Sequence, residues 1–486
     1  MTSRLSNSGC DRLPFDDGPC APLNRDLRMT PPYVQTHTGM ILQLLVRSRS
    51  FMLTVLIISQ SLSSCTAIPP ATPPTPSQGG TAPVLRNSTL EQLRPIIEPE
   101  LQLAASKRTP DPATSPEEIE KVPARFKQNM AIEALTHPWN GFTTLERQGL
   151  LFARLAEGGA PNLPALLNAL EAGMDRSSKA STSVGFPTPL TREEALTVIL
   201  QSVELAASHR STALNHLTPE ERAFLFRHTT DFAEHFTPQY SPMSAQTVTL
   251  VKSNRRFIEL LAEHVDYSGL IAAARVLAQL GNEEWLSGVA NAFHSFSPIK
   301  TVPPGITGDV LFAQQTPYGL VIIGGYGPNT YDLDGHCAFI LDLGGDDHYR
   351  GIIGASGSSE QGNAAVIDLS GDDTYIGDRF GLATGRLGVG LVIDHAGNDR
   401  YQLEEGSGGA GFAGLGILLD STGNDTYTGS RLTQGAAIGG LGLLLDLSGN
   451  DRYSSHGYAI GFGGPLGVGA VIDVAGNDEY QCGNKY

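Results

Sequence analysis

A chain of 486 residues with 40% apolar and 17% charged side chains can bury two or three cores, which excludes a disordered polymer. Its formal net charge of -17 lacks the basic footprint that a phosphate backbone requires, so nucleic acid is excluded and cations or basic surfaces suit it better.

The first feature along the chain is a targeting pattern. Arg47 and Arg49 precede the apolar run Phe51 to Ile58, and small residues follow it up to Cys65. A basic start, a short apolar stretch and small residues before a cut make a secretory signal, and the run is too short to span a bilayer. Leu62-Ser63-Ser64-Cys65 resembles a bacterial lipobox. That resemblance implies cleavage before Cys65, lipidation of its sulfur and, with Thr66 next, an outer-membrane lipoprotein facing the periplasm or the cell surface. The run lies far from Met1, which points to a true start at Met40 or nearby. Residues 1–64 are therefore read as leader and signal. Residues 65–87, rich in Pro, Thr, Ser and Gly, make a semi-rigid tether. With Cys10 and Cys20 removed and Cys65 lipidated, Cys337 and Cys482 remain, too far apart in the repeats to pair.

Residues 88–297 turn to Leu, Ala, Glu and Arg at helical spacing and predict an all-α domain. Capping boxes at Ser115/Glu118, Thr143/Glu146, Thr191/Glu194 and Thr218/Glu221 mark helix starts. His228, Asp231 and His235 fall on one helix face, where three such groups could hold a metal or move protons. No His-Glu-x-x-His motif accompanies them, so a solvated face is the plainer reading; His209 and His216 carry no more. Residues 298–340 form a connector and a degenerate first coil around Gly327-Pro328-Asn329-Thr330-Tyr331.

Residues 341–486 repeat Asp-x-x-Gly-(Asn/Asp)-Asp-x-Tyr six times. The leading residues are Asp342, Asp368, Asp394, Asp420, Asp446 and Asp473, at intervals of 26, 26, 26, 26 and 27 residues. So short a constant period predicts a β-solenoid, a right-handed parallel β-helix of about six coils, in which each turn pairs with the next. The fold class is thus α+β and multidomain, an all-α helical domain followed by a β-solenoid. Tyr349, Tyr375, Tyr401, Tyr427, Tyr453 and Tyr480 keep the same step and are expected to point inward and stack.

Alternation within the strand before each Asp assigns its faces. The set Val389-Leu391-Ile393 and its copies is expected to face the core, leaving Gly388-Gly390-Val392-Asp394 outward. A flat glycine face of that kind calls for a cover: the helical domain, a second copy of the solenoid, a protein partner, or a flat ligand such as a sugar ring. The bland alternative is a tight turn of the coil itself.

Stacking places equivalent atoms about 4.8 Å apart, so Asp347, Asp373, Asp399, Asp425, Asp451 and Asp478 form a column of like charge. Such carboxylates must be neutralised by protons, cations or basic groups. Between residues 341 and 486 there are 19 acidic and 7 basic side chains, a net of -12. Gly423-Asn424-Asp425-Thr426-Tyr427 and its copies resemble the latter half of the calcium-binding nonapeptide of RTX proteins. The resemblance implies Ca²⁺ held by these six turn aspartates, although the leading glycine pair is absent and the period is 26 residues.

Two functions compete. Identical coils suit a non-catalytic, envelope-anchored binding or scaffold protein, calcium-stabilised, with a glycan or protein partner. The alternative is a polysaccharide-degrading lyase or hydrolase on a β-helix, whose site should break the repeat. The best candidate break is the first coil, with His336, Asp346, Asp347, His348 and Arg350 offering acid, base and cation together. Contact with the helical domain is the preferred explanation of that break.

Overall fold

The computed structural model describes residues 54–58, 149, 151–173, 186–235 and 245–482. Cys65, the tether, residues 88–148 and the first two capping boxes lie outside the described residues. The described helices include α1 (Gly159–Gly173), α2 (Arg192–Ala213), α3 (Pro219–His235), α4 (Ala245–His264), α5 (Tyr267–Gln279) and α6 (Glu283–Phe293). Thr191 starts α2 as its sequence demands: its Oγ1 accepts from the Glu194 amide while the Glu194 carboxylate accepts from the Thr191 amide. Thr218 and Glu221 make the same reciprocal pair at α3. None of the described helices is long and apolar enough to cross a membrane.

From residue 306 onward the chain winds into a β-solenoid of about six coils. Each regular coil has a long strand, such as Val389–Asp394, a Gly-Asn-Asp turn, a second strand, such as Arg400–Leu403, and a short third strand, such as Gly411–Phe412. Long strands pair in parallel and in register with those of neighbouring coils, Val389 on Leu415 through Asp394 on Asp420. The second strands do the same, and the third strands form a narrow sheet of their own. The long-strand sheet ends in an antiparallel hairpin, Val310–Thr316 with Gly319–Gly324. At its other end Thr54–Ile58 pairs in parallel with Val468–Asp473.

The long strand faces the opposite way from the sequence expectation. Val389, Leu391, Ile393 and their copies point out of the coil into one hydrophobic core shared with the helices. Gly390, Val392 and Asp394 point in, where Val392, Leu418 and Leu444 pack with the tyrosines. Both faces of a parallel sheet are covered here, so alternation gives two apolar sets and does not by itself say which is inside. Glycine decides it. A Cβ on Gly390 would lie 2.5 Å from the backbone of Thr384 in the same coil, and one on Gly416 would lie 2.0 Å from the Ala410 carbonyl oxygen. The coil is pinched at that end, so these glycines face the coil's own backbone and the tight turn is the reading that this geometry supports.

The covering layer lies on the aliphatic face. Helix α5 packs on Val389–Asp394 and Leu415–Asp420. Tyr267 donates its hydroxyl proton to the Gly439 carbonyl at 2.5 Å, at a corner where φ is +61° and a Cβ would meet the Leu261 side chain. Arg210 of α2 reaches into the solenoid and donates to three backbone carbonyls: Leu387 at 2.7 Å, Glu360 at 2.9 Å and Ser359 at 2.5 Å. Gly362 makes room for it, since a Cβ there would lie 2.1 Å from Nε. Within the helical layer, Arg275 and the fully buried Glu171 form an ion pair at 3.2 Å.

Because Arg210 is buried and charge-assisted bonds contribute about 1.5–3 kcal/mol, Arg210→Ala should lower the unfolding free energy by about 3 kcal/mol. The exposed Arg255→Ala, which loses one surface ion pair, should change it by less than about 0.5 kcal/mol. Urea unfolding of both variants checks the difference.

Candidate metal centre

Seven tyrosine rings, from Tyr331 to Tyr480, stack through the wide end of the coils. Centroids are 4.5–5.0 Å apart and adjacent planes lie within 11°. The ladder is the one the repeat predicted, with the degenerate first coil adding Tyr331. Each hydroxyl needs a buried acceptor, and the strand-end aspartates supply it. Tyr349 donates to Asp368, Tyr375 to Asp394, Tyr401 to Asp420 and Tyr427 to Asp446, at 2.5, 2.6, 2.6 and 2.8 Å. In the 27-residue final coil the pattern slips: Tyr480 bonds its own coil's Asp473 at 2.7 Å, and the Tyr453 hydroxyl has no protein partner.

The turn aspartates converge on the same place. Each uses Oδ1 to accept the backbone amide one coil back: Asp373 from Asp347 at 2.6 Å, Asp399 from Asp373 at 2.6 Å, Asp425 from Asp399 at 2.7 Å. The asparagines beside them stay outside and bond from coil to coil, Asn424 Nδ2 to Asn398 Oδ1 at 3.1 Å and Asn450 Nδ2 to Asn424 Oδ1 at 3.0 Å. Asp346 and Asp372 begin this outer ladder and are not part of the interior.

The inward turn of the long strand thus merges two columns that sequence reasoning kept apart. Five triads of carboxylates result among the described residues: Asp342/Asp347/Asp368, Asp368/Asp373/Asp394, Asp394/Asp399/Asp420, Asp425/Asp446/Asp451 and Asp451/Asp473/Asp478. Within each triad the ligand oxygens lie inside 4.8 Å of one another, and four triads are wholly buried. Oδ2 of Asp347, Asp373, Asp399, Asp425 and Asp451 is buried with no hydrogen-bond partner, which puts an unpaired oxygen in every triad.

Carboxylates so placed resist ionisation. Burial pushes Asp373 up to about 8 and Asp399 up to about 9, and the Asp394 charge adds to both. Asp425 rises to about 7 and Asp394 to about 6, burial again leading. Asp420 and Asp446 are raised well above the ordinary carboxylate range by burial and by neighbouring aspartates. The same burial pushes the tyrosine hydroxyls up, so they act as neutral donors. The triads are clusters that could hold a metal ion. A hard divalent cation fits this donor set in charge and in ligand type: all-oxygen, anionic, with an unpaired oxygen aimed inward.

The six turn aspartates expected as metal ligands are all in these triads. The strand-end aspartates, expected to face outward, are the partners that reasoning missed. A signal was present, since each precedes its turn aspartate by five residues in every coil. The first-coil constellation is not brought together. Asp347 is buried inside, whereas His348 and Arg350 project from the opposite side of the strand and are exposed. His336 is also exposed, 3.2 Å from Gln361 and 3.8 Å from Asp334. In α3, His228 is buried and bonded to Asn254 at 2.8 Å, stacked on Phe224, with Asp231 at 3.4 Å. The side chain of His235 lies outside the described residues. Cys337 is a free thiol, pushed up to about 12 by burial.

No known protein family, curated protein or solved structure matches this chain.

Two outcomes follow from the column. With cations removed by chelator, the folded chain holds protons at these aspartates that the unfolded chain, titrating near 4, gives up. Stability should therefore be greatest near pH 4 and fall as pH rises through about 9; thermal unfolding across that range reads it. Tyr401→Phe removes the hydroxyl that serves Asp420 and should cost about 1–3 kcal/mol by urea unfolding.

Proposed function

We propose that this protein is a non-catalytic binding or scaffold protein of the bacterial cell envelope, anchored through a lipid on Cys65 and stabilised by calcium in its solenoid. The lipobox-like Leu62 to Cys65 and the proline-rich tether support the anchor. The buried triads, together with the RTX-like turns, support the calcium. The observation that carries the binding reading is the outer face of the second-strand sheet. Arg400 and Gln402, Thr426 and Thr428, and Arg452 and Ser454 stand in register there, with Arg400, Gln402, Thr428 and Arg452 exposed. A flat row of donors and acceptors repeated at the strand spacing of about 4.8 Å suits a polymer that repeats as well, and an envelope glycan is the partner it fits. The glycines play no part in it, being inside the coil.

The polysaccharide-cleaving alternative draws no support from the first coil, where the acid is inside and the base outside. Cosedimentation of the full chain with insoluble envelope polysaccharide tests the binding reading. Saturable binding is expected, reduced at least tenfold in the triple variant Arg400→Ala, Gln402→Ala, Thr428→Ala. Binding that survives those substitutions would sink the assignment to this face, and release of soluble fragments from the pellet would restore the enzyme.

A further inference from the structure

We propose that each carboxylate triad takes one divalent cation during folding, that ions in the four buried triads are then locked in, and that only the ion at the C-terminal triad exchanges with solvent. This rests on the calcium reading above and adds where the ions sit, how many there are and how they get in.

Charge sets the stoichiometry. Each of the six coils contributes two carboxylates, one at the strand end and one in the turn, all buried except the partly exposed Asp478. One divalent ion in each of the five triads offsets ten of the twelve carboxylate charges, whereas one shared proton per coil offsets only six. Isolated buried charge is strongly disfavoured, and twelve carboxylates stacked in register intensify the cost. The unpaired Oδ2 in each triad is the oxygen such an ion would engage, because the other oxygens already accept tyrosine hydroxyls or backbone amides in most coils.

Enclosure sets the kinetics. Members of the four buried triads, from Asp342 to Asp451, are at most 1% exposed. Stacked tyrosines wall one side, the long strand walls another, and the asparagine ladder ties the turns together outside. An ion can leave such a triad only if neighbouring coils separate, which is local unfolding. The last triad differs. Asp478 is partly exposed, and it accepts the Asp451 amide at a longer 3.1 Å.

The test is metal counting on the full chain. The protein is refolded in calcium, freed of excess ion and incubated at neutral pH with a strong chelator, and bound calcium is counted over time by native mass spectrometry. Expected are about five ions at the start, one lost within minutes and about four retained until urea unfolds the chain. Asp478→Asn, at the partly exposed end, should lack only the fast ion. Asp399→Asn should lack a slow one, and the end variant keeps the test alive where the interior one fails to fold. Loss of all ions within minutes from a folded chain would overturn the locking while leaving the calcium reading intact. A chain that refolds with no calcium at all would overturn both, and would leave protons to neutralise the column.

Discussion

Everything in this solenoid depends on parallel, in-register stacking, which sets each side chain directly against its own copy in the next coil. Only residues compatible with themselves at about 4.8 Å can be repeated under that rule. Tyrosine satisfies it by offset ring stacking, with Tyr401 and Tyr427 at 4.7 Å and 4°. Asparagine satisfies it because one amide donates to the next, as from Asn424 to Asn398. Aspartate does not, since two carboxylates offer no proton between them. The column of Asp342 to Asp478 is therefore the element whose neutralisation the fold requires.

The second constraint is width. A coil pinched at one end and open at the other must carry glycine where backbone meets backbone and large rings where it does not. Gly390 and Gly416 occupy the pinch, and Tyr401 and Tyr427 the open end. That leaves the bulky set Val389, Leu391 and Ile393 on the outside, unable to face water. The helices exist, in energetic terms, to cover it. The result is one continuous core running from Leu163 of α1 to Ile472, so the helical layer and the solenoid stabilise each other and are not independent modules. Arg210 fastens the two by donating to carbonyls that the winding of the coil would otherwise leave unpaired.

Inside and outside of the coil then divide the chemistry. Acidic groups that would suit an acid-base site are enclosed, some of their oxygens bonded to tyrosine or to backbone amides and others unpaired, while His348 and Arg350 of the first coil face solvent. The interior serves the integrity of the winding. The exterior of the second-strand sheet is polar and regular, and the proposal of a partner rests on it.

The sequence by itself determined the period, the coil, the tyrosine ladder and two of the helix starts. Each of these follows from local rules: a constant 26-residue step, a single inward ring on a polar strand, a hydroxyl and a glutamate three residues apart. It also placed six turn aspartates in one column. The tertiary structure alone decided which face of the long strand is inside, because that depends on how near the backbone of Thr384 comes to Gly390, a distance between segments that no pattern within the strand encodes. With that decision Asp394 moved from the surface to the interior, the two acidic columns became one set of triads, and Asp347 parted from His348. Alternation fixes which residues go together, and only packing against the rest of the chain fixes where they go.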